Sequence, residues 1–214
     1  PRVFGPDTGN LITGGNSLDV WSTLWRSLLA FLCSVPVGVS AGFLVFYGGR
    51  AGAPARLTLD FLRSIPATAL VPVFIILVGI NDQTNVVVGA FSSALVIALA
   101  TIAGLQVRNA TRLGVARVFG LTWLKRLYLV DLPEASPQIF VGLRAGISLA
   151  LVLVVVTEML IGGSRGLGRV IYDMSSTDDK PKMYAAMIVT GAIGYLFNSM
   201  LILCERRLLH WKGK

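Results

Sequence analysis

The chain has 214 residues, of which 54% are hydrophobic and 14% are charged, and its mean hydropathy is +0.72. Soluble domains carry about 25% charged residues, so this composition excludes an ordinary soluble enzyme and indicates an integral membrane protein. The formal net charge is +8. The basic residues are spread over several connections and not gathered on one face, which argues against nucleic-acid binding.

Five apolar stretches are long enough, or nearly long enough, to cross a bilayer as helices, because a crossing takes about 20 residues. They lack the strict alternation of barrel strands, so helices are favoured over a barrel. The sequence therefore predicts an all-α integral membrane protein, with residues 1–214 forming one transmembrane domain. The predicted crossings are Leu28–Phe46, Ser64–Ile80, Gln83–Val107, Ile139–Ile161 and Met183–Cys204.

Basic residues gather in alternate connections, at residues 50–63, at residues 108–126 and after Cys204. The opposite connections have no basic residue between Ile80 and Gln83, and a mixture of basic and acidic residues in 162–182. Cytoplasmic loops collect Lys and Arg. We therefore expect the first set of connections, and the C-terminus, to lie in the cytoplasm.

Five crossings with a cytoplasmic C-terminus place Pro1 outside. Residues 1–24 are rich in Gly and Asn at their start and are expected to form an outer loop. The chain begins with Pro and not Met. We expect a sixth helix, absent from this chain, to precede the loop.

The second predicted crossing contains two prolines among small and hydroxylated residues. Proline inside a spanning helix frees a carbonyl and kinks the helix. Two interpretations are open, an ordinary kink or a hinge that shapes a transport pathway. The residues that would line such a pathway are Ser64, Pro66, Ala67, Thr68 and Pro72.

Glu158 is the acidic residue of the fourth predicted crossing. A carboxylate at the centre of a bilayer is costly and usually functional. A rise of about 1.5 Å per residue from Ile139 places Glu158 close to the outer boundary, where the cost is modest. A hydrogen bond at a gate or a subunit interface is therefore favoured over a substrate contact. Arg144, near the inner end, is expected to be structural.

The connection after Arg108 is longer than a minimal link between helices, which suggests a function for it. Its apolar residues recur at helical spacing between basic ones. This pattern predicts a short amphipathic helix, bent at Gly120 and stopped by Leu132-Pro133 before the next crossing. The helix could lie in the lipid headgroups or enter a groove of a partner protein, and composition alone does not decide between them.

The spacing within this connection resembles the cytoplasmic loop motif of ABC importer permeases. That motif reads Glu-Ala-Ala, three residues, Gly, nine residues, Ile, one residue, Leu-Pro. Here Gly120 and Leu132-Pro133 match it by identity, Ala116 matches the last Ala, and Val130 replaces Ile. Gly114 stands in the place of the motif's Glu, so a contact through that carboxylate is absent or supplied elsewhere.

Two further segments are similar to permeases of the nitrate, sulfonate, taurine and bicarbonate type. One is DFLRSIPATALVPVFIILVGI, and the other is LPEASPQIFVGLRAGISLALVLVVVTEMLIGGSRGLGRVI. The second contains the Gly-Leu-Arg, Glu-Met and Gly-Leu-Gly of that family. The resemblance covers roughly residues 20 to 210, and its pieces occur in the family's order.

The resemblance implies a type I ABC importer bundle in a bacterial plasma (inner) membrane, with residues 108–133 carrying a coupling helix. It implies two permease chains, two ATP-binding subunits that hold ATP and Mg²⁺, and an outer solute-binding protein. The cargo would be a small anion, which the sequence does not identify further. The residues expected to contact the ATPase are Gly114, Ala116, Arg117, Gly120, Leu121, Leu124, Leu132 and Pro133.

The sequence contains no Gly-x-x-x-x-Gly-Lys-Ser/Thr phosphate loop, no Ser/His/Asp set and no metal-ligand spacing. We therefore predict that the chain is not an enzyme and binds no cofactor or metal itself. Two alternatives remain. A secondary transporter should show intramembrane ion sites and repeats, and a non-transporting scaffold would use the loop to bind another protein.

Overall fold

The computed structural model describes residues 16–161 and 165–209, and these ranges fold into helices joined by short turns. Short 3-10 turns precede the second and third helices, at Gly49–Ala51 and Ala67–Leu70, and a π-helical turn occupies Leu127–Asp131. The helices are α1 Asn16–Tyr47, α2 Gly52–Ser64, α3 Val71–Val78, α4 Asp82–Gln106, α5 Ala110–Val118, α6 Trp123–Arg126, α7 Leu132–Leu160, α8 Leu167–Ser176 and α9 Lys180–Leu208.

Helices α1, α4 and α7 form the centre of the bundle and approach closely through small residues. A Cβ added to Gly42 of α1 would lie 2.6 Å from Thr101 of α4, and one added to Gly142 of α7 would overlap Ala100. Ser34 and Ser93 also share a hydrogen bond of 2.8 Å across α1 and α4. In lipid, such close packing and interhelical hydrogen bonds replace the hydrophobic drive that packs soluble helices.

Four of the predicted crossings are confirmed as helices long and apolar enough to span a membrane, within Ser17–Tyr47, Asp82–Gln106, Trp123–Leu160 and Lys180–Leu208. The remaining stretch, Ser64–Ile80, is not one straight helix. Residues 49–64 and 67–78 form two helical pieces bent by 87°. Helix α3 has 8 residues, or about 12 Å, far less than the roughly 30 Å of a bilayer core.

Pro66 explains the break between α2 and α3. The residue before a proline is driven out of the helical conformation, and Ile65 is extended, with ψ 124°. Pro72 lies in the first turn of α3, where its missing N–H costs no hydrogen bond. The two prolines therefore separate and start helices, and neither kinks a continuous span.

The outer loop expected over residues 1–24 is wrong for its second part, because α1 is already helical from Asn16. Residues 1–15 lie outside the described residues. Asp19 and Arg26 precede the uncharged run from Leu28 that was predicted as the first crossing, yet both lie in α1. Asp19 accepts a hydrogen bond from the Gly166 N–H, and Arg26 is buried in ion pairs.

The expected stop at Leu132-Pro133 is also wrong. The chain stays helical from Trp123 to Leu160, with the π-helical turn in its course. The Leu132 N–H bonds the carbonyl of Leu127, five residues back, and Pro133 lies in the first turn of α7. The wider π-helical turn accommodates Pro133, which has no backbone N–H to donate. The proline therefore does not end the helix.

The outer connection 162–182 contains a helix, α8, that was not predicted from the sequence. Its signal was present in the helical spacing of Leu167, Val170, Ile171 and Met174. Asp179 caps the start of α9 by accepting from the Lys182 N–H. The Lys182 side chain beside it lowers the pKa of the Asp179 carboxyl.

Candidate functional site

The connection between α4 and α7 folds into a helix, a tight turn and a second helix, as the sequence predicts. Helix α5 ends at Val118, and Gly120 follows with φ +61°. The Leu121 N–H bonds the carbonyl of Ala116 at 3.1 Å, which is the long hydrogen bond of a Schellman cap. Gly120 thus reverses the chain because it adopts the left-handed conformation at low cost.

The tip of this connection carries large apolar side chains without cover from the described part of the chain. Val118 is 86% exposed, Phe119 77% and Leu124 58%. Gly114 is half-buried and Lys125 is exposed. The side chain of Arg117 lies outside the described residues. An apolar tip beside basic residues is the surface that a partner groove would cover.

Three residues of the recognised loop motif converge behind α5. Ala116, which is 3% exposed, lines a cavity of about 420 Å³ together with Leu121, Val130 and Pro133. The motif spacing therefore brings its members to one place. Gly120 and Leu124, by contrast, do not line this cavity.

A buried carboxylate, Asp131, anchors the loop to the inner ends of the long helices. It pairs with Arg108 at 2.6 Å and with Arg126 at 3.3 Å. The Tyr47 hydroxyl at the end of α1 donates to it, and Arg108 in turn donates to that hydroxyl at 2.9 Å. Asp131 is fully buried, so its charge depends on these donors.

Aromatic rings enclose the same cluster, which we call the inner clamp, defined as Tyr47, Arg108, Trp123, Arg126 and Asp131. The Arg108 guanidinium lies 4.6 Å from the centroid of the Phe46 ring. Tyr47 meets Trp123 edge to face at 6.2 Å. Cation–π and edge contacts of this kind add to the ion pairs. The clamp thus joins α1, α4 and α6 to the start of α7.

A second tie holds α5. Glu134 in the first turn of α7 pairs with Arg112 at 3.1 Å and accepts from the Asn109 N–H at 2.7 Å. The motif's Glu is replaced by Gly114, and outside its own turn of α5 no group of the described chain lies within 4 Å of a Cβ built there. A carboxylate does reach α5, but it comes from Glu134.

The predicted pathway residues lie at the bend between α2 and α3, away from the inner clamp. Four of them, Ser64, Pro66, Thr68 and Pro72, are exposed or partly exposed. Ala67 is half-buried and packs against the cluster of Val71, Val88 and Leu153. Their role in transport stays a prediction.

Glu158 lies at the outer end of α7 in a second polar cluster. It is fully buried and accepts from Arg26 at 2.7 Å, from Thr23 at 2.8 Å and from the Gly168 N–H at 3.1 Å. Its hydrogen bonds therefore lie within one chain, while its predicted role at a gate or interface stays a prediction. Arg144 pairs with Glu205 of α9 at 3.5 Å, in keeping with a structural role.

Tyr47, Asp131 and Glu134 were not predicted from the sequence. Asp131 lies between the two hydrophobic members of the motif, Val130 and Leu132, where a lone acidic residue among arginines was the available signal. Arg26 was also missed, because it lies before the stretch taken as the first crossing. Asp131 and Arg26 are each a single charge beside an apolar run, and only the fold shows which charges they meet.

Comparisons with known proteins agree with this architecture. The family described as binding-protein-dependent transport system inner membrane component matches residues 34–210. The putative aliphatic sulfonates transport permease protein SsuC of Bacillus subtilis is 30% identical over 191 residues, covering 89% of this chain and 69% of that protein. The taurine transport system permease protein TauC of Escherichia coli is 25% identical, covering 90% of this chain and 70% of that protein.

Solved structures show the same fold. A chain of the MetNI methionine ABC transporter in an inward-facing conformation superposes with a TM-score of 0.76 at 19% identity, covering 92% of this chain and 96% of that one. A chain of an amino acid ABC transporter has a TM-score of 0.73, also at 19% identity, with 89% and 92% coverage. The family match spans most of the chain. The chain therefore belongs to the binding-protein-dependent transport system inner membrane components, and it is the multi-pass permease component of an ABC transporter and not its ATPase.

Proposed function

We propose that this permease forms, with a second permease chain, the pathway of an ATP-driven importer for a small anionic solute. Two ATPase subunits dock on the cytoplasmic side and hold ATP and Mg²⁺, and a solute-binding protein delivers cargo outside. The complex lies in a bacterial plasma membrane with the C-terminus of this chain in the cytoplasm.

The observation that carries the proposal is the combination of an exposed apolar tip and a clamped base in residues 108–133. The tip residues Val118 and Phe119 offer apolar surface to a groove. The base is fixed to α1, α4 and α7 through Asp131. A push on the tip therefore reaches the spanning helices and is not absorbed by a loose loop.

In this mechanism ATP binding closes the ATPase dimer, and the docked loops follow it. The bundle then exchanges an inward-facing for an outward-facing state. Such alternating access needs differential binding of the partner to the two states. This chain supplies the docking loop of residues 108–133 and the pathway, while the partner supplies the energy of ATP.

The anionic cargo is supported by chemistry shared among the relatives' names. One is a sulfonate permease, another a taurine permease, and the CmpB protein of Synechococcus elongatus, 29% identical over 192 residues, is a bicarbonate permease. Competition of methanesulfonate, bicarbonate, nitrate and taurine, whose anionic group is its sulfonate, against uptake by the reconstituted complex tests the class, with cationic amines such as choline as controls. Competition by the controls alone would refute it.

The docking site is tested by cross-linking in a chain whose free cysteines, Cys33 and Cys204, are replaced by serine. A single cysteine at Val118 or Phe119 should capture the ATPase subunit. The control is a cysteine at Ile76, which is 83% exposed but lies on α3. Capture only from the C-terminal tail would contradict the assignment of residues 108–133. Capture without ATP-dependent uptake would instead favour a scaffold.

A further inference from the structure

Four parts of the chain meet at the outer end of the bundle around Arg26 and Glu158. Arg26 of α1 pairs with Glu158 of α7 at 2.7 Å and with Asp82 of α4 at 2.8 Å. It also donates to the carbonyl of Arg165, just ahead of α8. This arrangement, the outer cluster, is defined by Thr23, Arg26, Asp82 and Glu158, and α8 rests on it.

The contacts of α8 with the outer cluster use its backbone. The Gly168 N–H donates to Glu158 at 3.1 Å, and the Leu167 N–H donates to the Thr23 hydroxyl oxygen at 2.8 Å. These are first-turn N–H groups, which have no partner within their own helix. The carboxylate and the hydroxyl of the long helices therefore complete the hydrogen bonding at the start of α8.

Glycines make this contact possible. A Cβ on Gly166 would overlap the carboxyl group of Glu158, and one on Gly168 would overlap the carbonyl oxygen of Val155. Gly166 also has φ +153°. No side chain separates the start of α8 from α7, so any outward movement of α8 opens this contact directly.

The remaining attachment of α8 is small. Within its ten residues, Leu167, Gly168 and Ile171 are buried, and the side chains of Leu167 and Ile171, with partly buried Val170, pack in the cluster that contains Val155 of α7. Just before α8, the Gly166 N–H also donates to Asp19 at 3.2 Å. Asp178, which follows α8, has φ +60°, a conformation that permits a sharp turn into α9. A short helix with few buried residues can leave its seat without unfolding the bundle.

The charges of the outer cluster stay paired when α8 leaves. Glu158 keeps Arg26 and Thr23, both on α1, and Arg26 keeps Asp82. A buried carboxylate stripped of its cation would be strongly unfavourable. Here the movement would remove backbone contacts of the α8 segment and leave the ion pairs intact, which suits an element that must open and close repeatedly.

We infer that α8 is a lid over the outer end of the bundle, that Glu158 and Thr23 hold it closed, and that it lifts in the outward-facing state. The inference rests on the proposed import function. Glu158 is a positioning residue in this account, because it acts on the position of α8 and not on the cargo.

The experiment measures access to the seat of the lid. Val155, which is 8% exposed beneath α8, is replaced in the chain lacking Cys33 and Cys204, as Val155→Cys. The complex with its ATPase is reconstituted in proteoliposomes, and labelling of the introduced thiol by a membrane-impermeant maleimide is followed from outside. We expect labelling to rise at least several-fold when ATP, vanadate and the binding protein trap the complex.

Two variants weaken the contact between Glu158 and the start of α8, one from the side of Glu158 and one from the side of α8. Glu158→Gln replaces one acceptor oxygen by an amide nitrogen, which cannot accept from the Gly168 N–H, and Gly166→Ala places a methyl group against the carboxylate. Each should raise labelling of the introduced thiol several-fold without ATP and should raise ATP hydrolysis without the binding protein. Glu205→Gln makes the same charge change at the Arg144 pair, and should leave both values unchanged.

The outcomes separate this inference from the proposed function. ATP-driven uptake with constant labelling of the introduced thiol overturns the lid and leaves the importer intact. A general loss of packing would lower ATP hydrolysis, whereas release of the lid raises it. If the complex shows no uptake of any anion but Glu158→Gln still exposes the thiol, the proposed cargo fails and the lid stands. Should Glu158→Gln fail to assemble, the lid is tested by Gly166→Ala and by the trapped complex that carries neither Glu158→Gln nor Gly166→Ala.

Discussion

At the scale of single residues, Asp131 is a buried carboxylate that depends on donors from three parts of the chain. It is fully buried and is held by two guanidinium groups and a tyrosine hydroxyl. The donors come from the ends of α1 and α6 and from Arg108, just after α4. One carboxylate thereby ties three helix ends to residues 108–133.

We predict that Asp131→Asn reduces transport more than ATP hydrolysis. Removing one partner of a buried ion pair costs about 3–5 kcal/mol, and here it leaves Arg108 and Arg126 without their anion. Tyr47→Phe removes two hydrogen bonds, to Asp131 and from Arg108, and should cost about 1–3 kcal/mol. The measurements are uptake per ATP hydrolysed and the thermal midpoint of the complex.

The matched control is Asp173→Asn, because Asp173 pairs with Arg169 within α8 and is not buried. An exposed pair contributes about 0–1 kcal/mol, so neither value should change much. If Asp131→Asn keeps the wild-type ratio of uptake to hydrolysis, the clamp does not transmit force.

Gly120→Val is expected to uncouple transport while the chain still inserts and assembles. The reason is the backbone and not space, because φ is +61° and, apart from the two chain neighbours, no group among the described residues lies within 4 Å of a Cβ at this position. A left-handed conformation costs an ordinary residue about 1–2 kcal/mol. Vesicles should retain the complex and lose ATP-dependent uptake.

Gly191→Val is the control for this change. Gly191 lies inside α9, and no other group of the described chain lies within 4 Å of a Cβ built there. Valine is no worse than glycine in a helix, where glycine costs about 1 kcal/mol relative to alanine. Uptake should therefore persist in Gly191→Val, and equal losses in the two variants would argue that side-chain bulk, not the turn, is responsible.

At the scale of elements, the broken pair α2 and α3 is the clearest candidate for a pathway wall. Helix α2 has no buried residue, and α3 buries only Val71 among its own. Ile76 and Leu77 are 83% and 73% exposed. A helix pair this exposed in a single chain needs lipid or another subunit to cover it.

We predict that Thr68→Trp blocks uptake per assembled complex, because Thr68 is exposed at the bend and a large ring there would fill a narrow pathway. Ala67→Trp should also block uptake, but Ala67 packs beside Val71 and Val88, so overpacking of about 1–3 kcal/mol would lower its stability as well.

Ile188→Trp is the control, since Ile188 lies on α9, away from the bend, and is apolar and 72% exposed. Uptake is normalised to the amount of intact complex recovered by size exclusion. Normal uptake in Thr68→Trp would remove the bend from the pathway.

At the scale of the whole molecule, hydropathy predicted the long helices and could not predict their breaks. Apolar runs of sufficient length located α4, α7 and α9, because the membrane requires that every span satisfy its own backbone. The start of α1 was missed because the uncharged run begins only after Arg26, whose ion pairs are not visible in the sequence. A count of charges along the sequence does not show which charges form ion pairs in the fold.

The candidate site in residues 108–133 was likewise predicted only in part. The motif located Gly120 and the loop around it, since a positive φ favours glycine wherever the chain must reverse. The inner clamp was not predictable, because Tyr47, Arg108 and Asp131 are far apart along the chain and meet only through the packing of α1, α4 and α7. Which charged residues pair across such distances along the chain can be seen only in the folded structure.

The π-helical turn at Leu127–Asp131 gives the motif spacing a geometric meaning. An α-helix advances about 100° per residue, and a π-helical turn inserts one residue into that progression. Because helical structure runs from Trp123 to Leu160, the number of residues between Gly120 and Leu132-Pro133 sets the azimuth at which the apolar tip leaves the axis of α7. Loss of one residue from this spacing while the π-helical turn is kept would preserve nearly all of the helix's length and would swing the tip by about 100° around the bundle. A loss absorbed by the π-helical turn would instead restore an α-helical turn and leave the tip close to its original direction.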